Sequence, residues 1–157
     1  LAALALLQIG GTAFLRYEYV ICQKGNEDRI ALQTEHITEG PQKGIIANPT
    51  AAEEYATTVR VMKKLEALSR GGEVLPLTRN TWMFMGNYRN AAFSAWLTGV
   101  DSVTLDRLEM YYSLNPEKRP DAVWVGEKNA EYAEEFCTRF GYTGETTPDG
   151  IFLTPDE

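Results

Sequence analysis

With 157 residues, 44% of them hydrophobic and 24% charged, the chain holds enough apolar material to bury the core of one domain. A formal net charge of −7 and the lack of any lysine–arginine run exclude a general nucleic-acid binder, which needs a basic face. One histidine, His36, two distant cysteines, Cys22 and Cys137, and no CxxC or HExxH pair argue against structural zinc, so no metal or cofactor is expected.

The chain opens on LAALALLQIGGTAFL, residues 1–15, which carry no charge. As a helix this segment would span roughly 22 Å, short of the ~30 Å apolar thickness of a bilayer. Two readings stand: the last turns of a transmembrane helix, or a buried helix of the fold. Leu1 in place of methionine is read as an internal position of a longer chain. Residues 16–157 are read as a single α/β domain.

RYEYVICQ, residues 16–23, is rich in aromatic and β-branched side chains and reads as a strand. After a polar turn and an ambiguous stretch, GPQKG makes a turn and residues 45–47 form a short buried strand. Thr50 to Arg70 is the clearest helix. Thr50 and Glu53 fit a capping box, and Tyr55, Val59, Met62 and Leu65 recur on one face before Gly71 and Gly72 stop it. EVLPLT, 73–78, reads as a strand with Pro76 at an edge or bulge. A helix follows over 102–114, capped by Asp101 or Ser102, then a strand over 121–126 and a helix over 129–140 closed by Gly141. YTGETTPDGIFLT reads as a hairpin turning at PDG. This alternation predicts βαβ units: a Rossmann-like three-layer sandwich with a mainly parallel sheet and a C-terminal antiparallel hairpin.

Two segments are candidates for chemistry. GPQKG meets neither the GxxxxGK(S/T) nor the GxGxxG fingerprint, so Lys43 is carried as a phosphate-binding candidate against a plain turn. Thr78 to Trp96 starts at the carboxyl end of a strand, where open α/β sheets bind ligands, and gathers Arg79, Asn80, Trp82, Tyr88, Arg89 and Asn90. Aromatic faces beside guanidinium and amide groups suit sugars or nucleotides; the alternative is that Trp82, Phe84, Phe93 and Trp96 pack into the core. No catalytic residue is assigned. A triad would rest on His36 alone, and carboxylate pairs such as Glu134 and Glu135 are expected by chance among 22 acidic residues.

Several phrases taken together, ITEGPQKGI, NTWMFMGNYRNAAFSAW, LEMYYSLNPEKRPDAVWV and FGYTGETTPDGIFL, resemble the soluble C-terminal region of multi-pass bacterial membrane proteins of the glycosyltransferase-like kind. The resemblance covers residues 16–154 and carries no catalytic motif. It implies an accessory, non-catalytic domain on the extracytoplasmic side of the cell membrane. Its implied partners are the membrane region of its own parent chain and a glycan or lipid-linked sugar. The alternatives are a stand-alone cytoplasmic nucleotide- or small-molecule-binding domain or enzyme, and a protein-interaction module.

Overall fold

The computed structural model describes residues 2–25, 29–90, 99–101 and 103–156, with Asn90 described by its backbone alone. The chain divides into two compact units, Leu1–Ala56 and Thr57–Glu157.

The first unit begins with helix α1, Ala2–Arg16, which continues as a π-helical turn over Tyr17–Ile21. The strand expected over residues 16–23 is therefore absent. Short apolar runs do not distinguish strand from helix by composition, and extending an existing helix avoids the cost of nucleating a new element. No residue of α1 is buried. Strands β1, Glu35–His36, and β2, Ile46–Ala47, form a separate two-stranded antiparallel sheet. GPQKG is the turn between them: Gly40 and Gly44 take φ of 70° and 95°, and the Lys43 N–H donates to the Gly40 carbonyl at 3.1 Å. The Gln42 N–H donates to the Tyr55 hydroxyl at 2.8 Å. The strand expected at 45–47 thus pairs with its near neighbour in sequence and does not enter the main sheet.

Helix α2, Pro49–Ser69, is capped by Asn48, whose Oδ1 accepts the Ala51 N–H at 2.8 Å, in place of the expected Thr50. Proline at the first helical position needs no N–H partner, which favours this start.

The second unit is built on one mixed sheet in the order β4-β3-β5-β7-β6. Its strands are β3, Glu73–Leu77; the two-residue β4, Arg89–Asn90; β5, Ala122–Val125; β6, Tyr142–Thr147; and β7, Gly150–Pro155. β3 runs parallel to β4 and β5; β7 is antiparallel to both β5 and β6. The expected C-terminal hairpin is present, with Pro148 and Asp149 between the paired Thr147 and Gly150. Gly150 has φ of 123°, and the Trp124 ring lies where its side chain would be, so only glycine fits. Pro76 lies within the fully buried β3, in register with Trp124 of β5.

Side chains alternate between the two faces of each strand. Leu75, Leu77, Val123, Val125, Ile151 and Leu153 join Leu105, Leu108 and Tyr112 of α3, Leu105–Leu114, and Ala133 and Phe136 of α4, Ala130–Phe140. Val74, Ala122 and Phe152 join Val61 and Leu65 of α2 with Met83 and Tyr88. Thr104 caps α3, where Asp101 or Ser102 was expected. Gly141, at φ of 70°, ends α4 as predicted.

Candidate functional site

The chain leaves the adjacent parallel strands β3 and β5 toward opposite faces of the sheet. From β3 it passes to the face where Met83 and Tyr88 pack with Val74. From β5 it passes to the opposite face, where Ala133 and Phe136 of α4 pack with Leu75 and Val123. Adjacent parallel strands whose exits diverge in this way leave a gap at their carboxyl ends, the usual ligand position in open α/β sheets. Thr78, Arg79 and Asn80 leave β3 on one side of this gap, and Gly126 to Asn129 leave β5 on the other.

The β3 side is held by local bonds. The Asn80 N–H donates to Thr78 Oγ1 at 3.0 Å. Asn80 Oδ1 accepts the Trp82 N–H at 3.1 Å and so caps the 3-10 turn Thr81–Met85, while Nδ2 donates to Thr58 Oγ1 at 2.9 Å. The exposed Arg79 guanidinium pairs with Asp101. On the β5 side the Asn129 N–H donates to the Gly126 carbonyl at 2.9 Å, closing the turn into α4.

The five predicted residues of the second unit do not form one site. Arg79, Asn80 and the half-buried Trp82 stand together at the carboxyl end of β3. Tyr88 is a core residue: it is buried, its hydroxyl donates to the Met83 carbonyl, and desolvation pushes its pKa well up. Its ring lies where any side chain at Gly86 would have to go. Arg89 lies at the other end of the sheet, because it pairs in register with Glu73, the first residue of β3. Lys43 belongs to the first unit and is exposed in its turn. Phe93 and Trp96 fall outside the described residues. The segment 78–90 was read as one cluster because its polar residues are close in sequence. It instead runs from the carboxyl end of β3 back to the amino end of the parallel β4, roughly 13 Å along the sheet at 3.3 Å per residue.

Arg89 joins a second polar cluster. Its Nε and the Nζ of Lys118 each lie 3.5 Å from Glu73 Oε1, and the Glu73 side chain is 6% exposed. The Glu73 N–H donates to Asp121 Oδ2 at 2.7 Å and its carbonyl accepts the Asp121 N–H at 2.7 Å. This cluster ties together the amino ends of β3, β4 and β5.

Sequence reading missed Thr58, Asp101 and the Gly126–Asn129 turn. The last was legible as a polar turn after an apolar strand. Thr58 carried no signal, and Asp101 was read as a helix cap. Among the described residues no group of three or more His, Cys, Asp or Glu side chains is placed to hold a metal ion. Cys22 and Cys137 are both free thiols.

No family model matches the chain, and no curated protein or solved structure does.

Proposed function

We propose that the chain is an accessory module of a membrane-anchored, glycosyltransferase-like protein. In this reading α1 enters the apolar phase as the end of the parent's membrane region. The second unit stands on the extracytoplasmic side and offers its carboxyl-edge crevice to a glycan or lipid-linked sugar. The observation that carries the reading is the surface of α1. Leu4, Leu6, Leu7, Ile9, Phe14 and Leu15 are 54–74% exposed and point in all directions around the helix. A helix that is apolar all round belongs inside protein or lipid, not in water. Among the described residues no helix is long and apolar enough to cross a membrane by itself. The phrase resemblance supports the glycosyltransferase-like parent. The two apolar clusters, one for each set of alternating strand residues, support a Rossmann-like three-layer arrangement.

At the carboxyl end of β3 a hydroxylated ligand would meet the Arg79 guanidinium, paired with Asp101, and the Asn80 amide, bonded to Trp82 and Thr58. The test is topological. A tag placed after Glu157 in the parent protein is expected to be cut by protease added to intact spheroplasts. Cleavage only after lysis would sink the extracytoplasmic placement. The same crevice favours a second reading, a cytoplasmic small-molecule or nucleotide-binding domain. A nucleotide that raises the melting temperature by several degrees would select it.

A further inference from the structure

Among the described residues the mixed sheet ends at β6, which pairs with β7 alone. Along an antiparallel ladder, half of the N–H and C=O groups of such a strand point away from its only neighbour. Among the described residues no backbone bond reaches β6 from outside the hairpin. Beside this open edge lies a cleft of about 490 Å³ between α4 and the hairpin. Ala133, Glu134 and Cys137 line its helix side, Gly144 and Thr146 its strand side, and Ile151 and Leu153 its floor.

Residue alternation decides which β6 residues face the cleft. Tyr142, Gly144 and Thr146 share one face of β6, and the Tyr142 ring meets Phe136 of α4 edge-on at 5.1 Å. At the next position on this face Gly144 has no side chain, and Leu153 and Cys137 close over it. A Cβ there would come within 3.2 Å of Leu153 Cδ2 and 3.6 Å of Cys137 Sγ. Burial, with Asp156 and Glu134 nearby, pushes the Cys137 thiol pKa up.

The rim is acidic. Glu134 lines the cleft, and Asp156 is near Cys137. Of the cations nearby, Arg139 is held by Asp106 at 2.6 Å and by Glu109 at 3.7 Å, and Lys64 by Glu145 at 2.7 Å. A second copy of this chain adding edge to edge would set two such acidic rims together, which like-charge repulsion disfavours.

We propose that β6 and α4 form a docking groove for an extended, basic and apolar peptide segment of another protein. The segment adds to β6 as a further strand. One apolar side chain enters the cleft against Ala133, Ile151 and Leu153, and a cationic side chain pairs with Glu134. This combines main-chain pairing for affinity with a side-chain pocket and charge for selection.

The test uses the whole chain and a capped hexapeptide of alternating valine and lysine, followed by calorimetry and amide hydrogen exchange. Binding is expected, with slowed exchange in residues 142–147. N-methylation of alternate peptide amides is expected to weaken it at least about tenfold, as are glutamate in place of lysine and the exposed substitution Glu134→Lys. Equal binding of the N-methylated or the acidic peptide would overturn the proposal. So would unchanged exchange in β6, no binding at millimolar peptide, or a dimer of the chain that protects β6.

Discussion

Replacing Tyr142 with phenylalanine should exchange a loss of stability at neutral pH for a gain at alkaline pH. The Tyr142 hydroxyl donates to the Pro120 carbonyl at 2.6 Å, so Tyr142→Phe removes one buried hydrogen bond, worth about 1 kcal/mol at pH 7. Burial pushes the phenol from 10.0 up to about 12, despite the opposing Arg119. The folded state therefore holds this proton more tightly than the unfolded chain does. The resulting stability is complete below about pH 10 and is lost as pH rises through about 12. At about 1.4 kcal/mol per tenfold change, the wild type loses about 1.4 kcal/mol through this one group by pH 11, and the phenylalanine variant loses none of it. Burial also raises Tyr88 and Tyr132, which both proteins contain and which cancel in the difference; Tyr112 is raised by burial and in part by Tyr142, so only its burial contribution cancels. Urea unfolding followed by tryptophan fluorescence at pH 7, 9, 10 and 11 reads the difference directly. The variant should be less stable by about 1 kcal/mol at pH 7 and equal to or more stable than wild type near pH 11. A deficit that stays constant across this range would refute the reasoning.

The Glu73 cluster should respond asymmetrically. Removing both cations with Arg89→Ala and Lys118→Ala strands a buried carboxylate and should cost about 3 kcal/mol, whereas Glu73→Gln should stay within about 1 kcal/mol of wild type. Equal costs in denaturant titrations would show that Glu73 is not acting as a buried charge. Arg60 holds Asp149 in a two-pronged pair at 2.8 and 3.0 Å and lowers its pKa below the ordinary 3.8. Arg60→Ala should therefore cost about 0.5–1 kcal/mol at neutral pH, and that difference should vanish in thermal melts as pH falls below the lowered value. Asn80→Ala removes both the cap on Trp82 and the bond to Thr58, so a loss of about 1–2 kcal/mol is expected. A melting temperature unchanged to within a degree would mean that the 3-10 turn does not depend on Asn80.

Amide, hydroxyl and guanidinium residues after β3 were legible in the sequence as a candidate ligand edge, because strand 73–78 announces its own carboxyl end. What lies opposite that edge was not legible. Residues 126–129 are about fifty positions away, and only parallel pairing of β3 with β5 sets them alongside. Arg89 was misplaced for the same reason: sequence proximity to Arg79 hides a chain that returns to the start of a parallel neighbour. Both cleft and open edge at β6 were also hidden, since Gly144 looks like any strand glycine until α4 is placed above it.

Local chemistry alone determined the acidic surface, the helix over residues 50–70, the glycine stops at 71 and 141, and the hairpin turning at Pro148 and Asp149. Each depends on side-chain periodicity or backbone freedom within a few residues. Tertiary structure decided which short apolar runs became strands. Residues 16–21 extended a helix, and Ile46–Ala47 paired with a neighbour ten residues away and stayed out of the main sheet. A run of two to six apolar residues satisfies helix and strand equally well, and only the partners available to its backbone groups and side chains break the tie.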